Sequence, residues 1–251
     1  MAPDPPRPDF TADRLARLLG IERYHFWFQG RRLLVRCLIN RFAGSRPIRI
    51  LDLGSGGGFF AQSLAAARHQ VTALDFLPAG LVRLRRDAPE VKTIQSSAEC
   101  LPIGACSFDA AIALDVLEHI DDQAAARELH RVLRPGGVLI VTVPAFPFLW
   151  SFRDVSAGHK RRYRRAQLAA TLRSAGFQME TSGYYQFFLF PLAILTRLSG
   201  RSSSTTRDLE DTPPRPVNSL FAVINRLEAL ASRYIPWPWG SSIYAVARRT
   251  E

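Results

Sequence analysis

The sequence predicts an α/β protein in which a mostly parallel sheet is covered by helices. Apolar runs of strand length alternate along the chain with segments of helical period, which is the pattern of such a sheet. A turn with four glycines joins the first strand to a helix, as in folds that bind nucleotides at the carboxyl end of the sheet. With 251 residues, 47% of them hydrophobic, one large domain can bury its own core.

The elements of the first half follow each other in regular order. Pro78 suits the first turn of its helix, and two acids begin the helix that ends at the turn signal RPGG. Strands are predicted at 48–53, 71–76, 91–95, 108–116 and 137–144, and helices at 59–69, 78–88 and 121–133.

The residue composition of the chain changes after Pro144. The aromatic and basic connection 145–165 is too rich in special residues to be a simple turn. The apolar run 187–198 is too short to cross a bilayer, and the polar, proline-rich segment 199–216 is expected to be mobile. Beyond the connection we predict helices at 166–176 and 217–235, and strands at 177–185 and 241–249.

Charge and cysteine content narrow the functional classes. The net charge of +11 favours an anionic partner such as nucleic acid or a membrane surface, although a chain this rich in arginine can also reflect genomic base composition. Three cysteines without ligand spacing predict neither a disulfide framework nor a zinc site. The first residues lack a basic start followed by an apolar stretch, so we expect a cytoplasmic protein.

The glycine turn itself limits the ligand. A dinucleotide fingerprint needs a third glycine where Phe59 stands, and a P-loop needs a Lys-Ser or Lys-Thr pair after the glycines, which is absent. The remaining pattern, with Asp52 two residues before Gly54, suits a ligand that carries an ammonium group and a carboxylate. The helix N-terminus receives the carboxylate, and Asp52 supplies negative charge.

Four elements in order now point to a family. LDLGSGGG, the acid Asp75 closing the second strand, SSAECLPIGACSFDA and ALDVLEHIDD together resemble the class I S-adenosylmethionine-dependent methyltransferases, in particular the small-molecule group called type 11. The resemblance covers roughly 48–143. It implies a Rossmann-like seven-stranded sheet, mostly parallel with the last strand antiparallel. Within one domain, 1–251, we expect an N-terminal helical lid (1–45), a cofactor-binding core (46–186), a helical insertion (187–240) and a closing strand (241–251).

The resemblance also assigns cofactor residues. It implies S-adenosylmethionine as cofactor, S-adenosylhomocysteine as product, and no metal. Asp75, 21 residues after Gly54, takes both ribose hydroxyls, and Phe76 flanks the adenine. The remaining residues that the resemblance assigns to the cofactor have three roles. Those around the methionine part are Asp52, Gly54, Ser55 and Gly56, and those along the edge of the adenine are Ala98 and Glu99. Those that line the site of the methyl group are Asp115, Val116 and Leu117.

Candidate catalytic residues depend on the acceptor atom. Methyl transfer is an in-line displacement, so the enzyme mainly aligns the acceptor in a dry pocket. For a hydroxyl acceptor a base of near-neutral pKa helps, and His119 and His159 are the candidates. We interpret Glu118, next to His119, as structural.

Two further stretches are predicted to bind the acceptor. YHFWFQGRR resembles an aromatic N-terminal lid with the pattern HWWF.GRR, and LWSFRDVSAGHKRRY resembles a loop after the fifth strand, although Lys160 departs from that pattern. Arginine binds carboxylate or phosphate with two parallel hydrogen bonds, which favours an acidic or phosphorylated acceptor. The predicted acceptor-binding residues are His25, Trp27, Arg31, Trp150, Arg153, Arg162 and Tyr163.

The insertion leaves several hypotheses open. Its apolar stretch and the tail IPWPWG fit a cover over the active site, a peripheral membrane contact at the inner face of the membrane, or a dimer seam; we favour the cover. The leading function is methyl transfer to a small-molecule or lipid-linked acceptor, at oxygen. The alternatives are a nucleic-acid methyltransferase, favoured only by charge, and a nicotinamide-dependent reductase. Both a monomer and a homodimer are compatible with the sequence.

Overall fold

The computed structural model describes residues 12–199, 213–232 and 234–250, which form a seven-stranded sheet with helices on both faces. The strand order is β3-β2-β1-β4-β5-β7-β6, and β7 runs antiparallel to both of its neighbours while the other pairs are parallel. This confirms the predicted fold class. The strands are β1 (Arg49–Leu53), β2 (Gln70–Asp75), β3 (Lys92–Gln95), β4 (Phe108–Leu114), β5 (Leu133–Pro144), β6 (Phe177–Tyr185) and β7 (Ser242–Arg249).

The helices include two that precede the sheet and two in the insertion. None of the described helices is both long and apolar enough to cross a membrane. Most of the segment expected to be mobile, residues 200–212, lies outside the described residues. The helices are α1 (Ala12–Ile21), α2 (Phe26–Phe42), α3 (Phe59–Ala66), α4 (Pro78–Asp87), α5 (Asp122–Val132), α6 (Phe152–Ser156), α7 (Arg165–Ser174), α8 (Phe190–Ser199) and α9 (Arg215–Ala231).

Two apolar clusters, one on each face of the sheet, hold these layers together. Leu129 of α5 and Leu172 of α7 pack on one face, and Leu64 of α3 and Leu81 of α4 pack on the other. Between β1 and β4 the strand order changes direction, which opens a crevice at the carboxyl ends of the strands. The glycine turn and the segment after β4 both lie at this crevice.

Strand β5 begins earlier than the sequence predicts. Leu133 pairs with Phe108 and Val138 pairs with Ala110, so residues 134–137 bulge out between two paired segments of one strand. The RPGG signal therefore marks a real irregularity, with Gly136 at φ +75°, but the strand continues on both sides of it.

The N-terminal helices and the insertion contact each other over the crevice. The backbone N–H of Phe26, at the start of α2, donates to Asn218 Oδ1 of α9 at 2.9 Å. At Gly30 the two helices are so close that a Cβ would lie 2.7 Å from Cβ of Asn225. The N-terminal helices and the insertion lie on opposite sides of the core in the sequence, but they form one helical layer in the structure.

Candidate functional site

A side chain has no room at Gly54 of the glycine turn or at Gly80 of α4, which packs against the turn. Gly54 has φ +69°, and a Cβ there would lie 2.4 Å from Val116 Cγ2 of the segment after β4. Gly80 of α4 approaches the turn from the other side, where a Cβ would lie 1.7 Å from the carbonyl oxygen of Gly56. The backbone of the turn is therefore held in place by α4 and by the segment after β4.

Two acids lie beside this turn at the ends of adjacent strands. Asp75 Oδ2 accepts a 2.8 Å hydrogen bond from the N–H of Gly56, and its Oδ1 accepts one from the N–H of Leu77 at 2.8 Å. Burial raises the pKa of Asp75, and these backbone donors offset part of the rise. Asp52 is buried, and burial together with the negative charge of Glu22 raises its pKa to about 8.

The surroundings of the turn fit a cofactor with a ribose and an aromatic base. The Ser55 hydroxyl is buried without a hydrogen-bond partner among the described residues, and so offers a polar group to a ligand. Phe76 is 70% exposed, so its ring is free to cover a base. Glu99 Oε1 accepts from the N–H of Asp121 at 2.8 Å and so fixes the turn that precedes α5.

Asp115 connects the turn to the N-terminal helices. Its backbone has φ +57°, and its carboxylate pairs with Arg31 of α2 and accepts from Thr142 Oγ1 at 3.3 Å. The Arg31 guanidinium also lies 4.6 Å from the ring centroid of Trp27 and donates to the carbonyl of Leu114 at 3.2 Å. Helix α2 is thus anchored at the end of β4.

A cavity of about 260 Å³ lies between the lid, the loop after β5 and the insertion. Its walls are largely apolar, and its polar groups include Asp115, Glu118 and His159. Among the apolar and aromatic residues that line it are Leu18, Ile21, Phe26, Trp27, Phe28, Phe152, Leu189, Leu192, Ala193 and Phe221. Since Asp115 lines the cavity and the next residue contacts the glycine turn, the cavity adjoins the cofactor side of the crevice.

A buried aspartate organises the loop after β5. Asp154 Oδ1 accepts from Arg162 Nε at 2.7 Å, and Oδ2 accepts from Arg197 of α8 at 3.1 Å. Burial raises the pKa of Asp154, but the hydrogen bond from His159 and the charges of the two arginines outweigh it and hold this pKa well below its ordinary value. The ionised carboxylate therefore joins the loop to the insertion.

The two candidate histidines lie against each other at this loop. The His159 and His119 rings are 4.8 Å apart between centroids. His159 Nδ1 lies 2.8 Å from Asp154 Oδ1, and His119 Nδ1 lies 3.2 Å from the carbonyl oxygen of Gly158. Glu118 is fully buried beside them; burial and the charge of Asp115 raise its pKa well above the ordinary value.

Residues 51–141 match a family model described as a methyltransferase domain. A protein of Mycolicibacterium smegmatis named "Probable S-adenosylmethionine-dependent methyltransferase" is 32% identical over 164 residues, which are 64% of this chain and 63% of that protein. Residues 51–141 therefore carry a methyltransferase domain, and over 64% of its length the chain is similar to an S-adenosylmethionine-dependent methyltransferase. This confirms the resemblance that the sequence motifs indicated, and the similarity implies S-adenosylmethionine as cofactor.

A second curated relative and one solved structure add to this comparison. The ubiquinone biosynthesis O-methyltransferase of Xanthomonas axonopodis pv. citri is 34% identical over 151 residues, covering 53% of this chain and 63% of that protein. The chain thus spans less than two thirds of these two curated relatives. The Burkholderia thailandensis 1,6-didemethyltoxoflavin-N1-methyltransferase, solved with 1,6-didemethyltoxoflavin and S-adenosylhomocysteine, has a TM-score of 0.56 at 19% identity over 99% of this chain and 93% of that chain. That likeness shows the fold alone.

The fold brings more than half of the predicted acceptor-binding residues to the cavity. Those that line it are His25, Trp27, Arg153 and Arg162, and the candidate catalytic residue His159 lines it as well. Arg31 contacts the cavity only indirectly, because it forms an ion pair with Asp115, which lines the cavity.

Other predicted residues lie outside the cavity lining. Trp150 and His119 do not line it, and Tyr163 is buried with its hydroxyl 2.8 Å from Asp122 Oδ2. Leu117 packs in the core, and its carbonyl accepts from the Tyr163 hydroxyl at 3.2 Å. Ala98 packs against the same core.

Sequence reasoning missed two contributors to the site and gave a third no role. Glu118, interpreted as structural, lines the cavity. Arg197 of α8 lines the cavity from the insertion, for which no site residue was predicted. Asp154 also lines the cavity; it belongs to the loop whose resemblance predicted acceptor binding, but no role was assigned to it.

Proposed function

We propose that this chain transfers the methyl group of S-adenosylmethionine to a hydroxyl of a small molecule bound in the cavity. The observation that carries the proposal is the cavity itself, which is lined by Asp115 next to the segment that contacts the glycine turn and, on its other sides, by the N-terminal helices, the loop after β5 and the insertion. S-adenosylmethionine supplies an electrophilic methyl group on a sulfonium. The chain's task is then to hold an acceptor in line and exclude water.

The residues of the turn have distinct roles in this proposal. Asp52 and Ser55 bind the methionine part together with the backbone at Gly54 and Gly56. Asp75 binds the ribose hydroxyls, since each of its carboxylate oxygens uses one acceptor direction for the backbone and keeps another. Phe76, Ala98 and Glu99 flank the adenine, and Asp115, Val116 and Leu117 form the segment beside the methyl group.

The acceptor is proposed to place its hydroxyl against Glu118 and His159, with His119 directly behind His159. Glu118 and His159 line the cavity, the His119 ring lies 4.8 Å from the His159 ring between centroids, and the walls from Phe152 and Leu192 are apolar. An apolar body with one hydroxyl therefore matches the site. His119 and His159 are the proposed groups that promote loss of the hydroxyl proton as the oxygen attacks.

The insertion is proposed to cover the acceptor and to admit a lipid-linked one. Helix α8 lines the cavity, and α9 contributes Phe221 to it. The opposite side of α9 exposes Leu220, Val223, Leu227 and Leu230 together with Arg226, which is an apolar stripe with a basic residue and no acid. Such a face is suited to an anionic membrane surface, from which a lipid-linked acceptor reaches the cavity.

Transfer of labelled methyl tests the function. The protein is incubated with methyl-labelled S-adenosylmethionine and cell extract, which is then separated into organic, aqueous small-molecule, protein and RNA fractions. We expect label in a small-molecule or organic fraction, lost in Asp75→Asn and kept in Asp87→Asn, which changes an exposed aspartate of α4. Label confined to RNA, or binding of NADH in place of S-adenosylhomocysteine, contradicts the proposal.

Vesicle binding tests the exposed surface of α9 separately. The protein should co-sediment with vesicles that contain phosphatidylglycerol. The double variant Val223→Asp with Leu227→Asp should abolish this binding, because it places two acids on the apolar stripe, while S-adenosylhomocysteine binding persists. The matched control is Val82→Asp, at an exposed apolar residue of α4, which should co-sediment like the parent. Equal sedimentation of the double variant and the control contradicts a membrane role for α9.

A further inference from the structure

Glu118, His119 and His159 form a cluster whose ligand atoms all lie within 4.8 Å of one another. Two residues come from the segment after β4, and the third comes from the loop after β5. The loop is tied to that segment by a 2.7 Å hydrogen bond from the N–H of Lys160 to the carbonyl of Glu118. One carboxylate and two imidazoles are thus held together at the wall of the acceptor cavity, which Glu118 and His159 line.

Both imidazoles have their Nδ1 atoms directed at an acceptor. His159 Nδ1 donates to the ionised Asp154 at 2.8 Å, and His119 Nδ1 donates to the carbonyl of Gly158 at 3.2 Å. In each ring the proton on Nδ1 leaves a lone pair on Nε2. A carboxylate or carbonyl behind the ring is the arrangement that orients histidines toward a metal ion and fixes their tautomer.

The carboxylate of Glu118 supplies a second, independent observation. Its side chain is 0% exposed, and neither carboxylate oxygen has a hydrogen-bond partner in the part of the chain that the structure describes. Burying a carboxylate without a partner is costly, and the nearest ring nitrogen, His159 Nε2, is 4.0 Å from Glu118 Oε1. A cation between these groups supplies the missing partner.

We propose that Glu118, His119 and His159 bind one first-row divalent cation at the wall of the cavity. Two imidazole nitrogens and one carboxylate oxygen suit Zn²⁺, Co²⁺ or Mn²⁺ and leave positions open for an oxygen of the acceptor. With bonds of about 2.1 Å, ligand atoms stand about 3.0–4.2 Å apart, so the cluster needs to contract by less than about 2 Å. This inference departs from the expectation that no metal is required.

The inference rests on the proposed function and makes its chemistry more specific. A cation lowers the pKa of a bound hydroxyl, so the acceptor proton is lost to water, and the oxygen attacks the methyl carbon. The O–CH₃ bond forms as the S–CH₃ bond breaks, and the sulfur of S-adenosylhomocysteine keeps the electron pair. When the cation is bound, His119 and His159 act as its ligands. They then promote loss of the acceptor's hydroxyl proton by way of the cation.

Cobalt binding tests the site without reference to activity. Untagged protein is treated with a chelator, dialysed, and titrated with Co²⁺ while visible absorption and the melting temperature are recorded. We expect one equivalent to give ligand-field bands and a higher melting temperature, with the bands removed by Zn²⁺ in competition. No saturable binding at micromolar Co²⁺ overturns the proposal.

Matched variants assign the ligands. His159→Ala and Glu118→Gln should each remove the bands, whereas His69→Ala and Glu90→Gln, which lie outside the cluster, should keep them. Circular dichroism verifies that each variant is folded, and His119→Ala provides a third ligand deletion should one of the others fail to fold. Equal Co²⁺ binding by the cluster variants and the controls overturns the assignment.

Failure of this site can be distinguished from failure of the proposed function. Chelated protein that still binds S-adenosylhomocysteine and transfers methyl at the full rate contradicts the cation and leaves the methyltransferase proposal intact. Protein that binds Co²⁺ through the cluster but neither binds S-adenosylhomocysteine nor transfers methyl contradicts the function and leaves the cation site intact.

Discussion

Gly80 of α4 offers a test of the cofactor site at a residue that the sequence did not single out. In Gly80→Ala the new Cβ would lie 1.7 Å from the carbonyl oxygen of Gly56, whereas real Cβ contacts are essentially never under 3.0 Å. The turn or the helix must therefore move by at least 3.0 − 1.7 = 1.3 Å. Such overpacking costs about 1–3 kcal/mol of folding free energy.

The displacement also separates Gly56 from Asp75, whose 2.8 Å hydrogen bond positions the proposed ribose acceptor. Because a misplacement of this size costs on the order of 100-fold at a preorganised site, we expect the dissociation constant of S-adenosylhomocysteine to rise by about that factor. Isothermal titration calorimetry measures the affinity. Differential scanning fluorimetry measures stability, which should fall by about 2–4 °C for each kcal/mol.

The matched control is Gly20→Ala, at a helical glycine with nothing within 4 Å of the new Cβ. It should leave both measurements close to the parent values, or raise stability slightly because alanine favours helix. A folded Gly80→Ala protein that binds S-adenosylhomocysteine within about threefold of the parent would refute the reasoning that the turn is held by α4, since about 100-fold is expected.

Further outcomes are expected at Asp52, Arg31 and Tyr163. Folding raises the pKa of Asp52 to about 8, so the folded chain binds the proton of the Asp52 carboxyl more tightly than the unfolded chain does. The contribution of Asp52 to the free energy of unfolding therefore falls as the pH rises from about 4 to about 8. S-adenosylhomocysteine affinity should rise over about pH 7–9 as Asp52 ionises, and Asp52→Asn should remove that dependence in calorimetry. Arg31→Met leaves Asp115 without its ion pair and should lower the free energy of unfolding by about 3 kcal/mol or more in urea titration; a loss below about 1 kcal/mol contradicts this. Tyr163→Phe removes the hydroxyl that donates to Asp122 and should cost about 1–2 kcal/mol while S-adenosylhomocysteine affinity stays unchanged, so a large loss of affinity would contradict its structural role.

The sheet could be predicted from the sequence because its signals are local. Each strand is a short apolar run, and the glycine turn after Asp52 marks the switch from strand to helix. The strands at 71–76 and 108–116 were predicted to within two residues at each end for the same reason. The antiparallel last strand came from the family resemblance, since periodicity carries no information on strand direction.

The cavity could not be predicted in the same way because its walls are distant in sequence. Phe26 and Asn218 are 192 residues apart, and their hydrogen bond depends on how α9 crosses α2. Asp154 lies in a five-residue helix, and its partner Arg197 lies in α8. The sequence led us to interpret Glu118 as structural, whereas its place at the cavity depends on the loop that packs against it, where the N–H of Lys160 donates to the carbonyl of Glu118.

The position of β7 has a consequence for how the protein is made. The chain enters the interior of the sheet with its last strand, because Ser242–Arg249 pairs with β5 on one side and β6 on the other. During synthesis, β5 and β6 therefore present unpaired edges until these residues emerge from the ribosome. Exposed edges of this kind favour association between chains. The interval between translation of β6 and of β7, which includes the whole insertion, is accordingly the period in which a nascent chain depends most on protection from its neighbours.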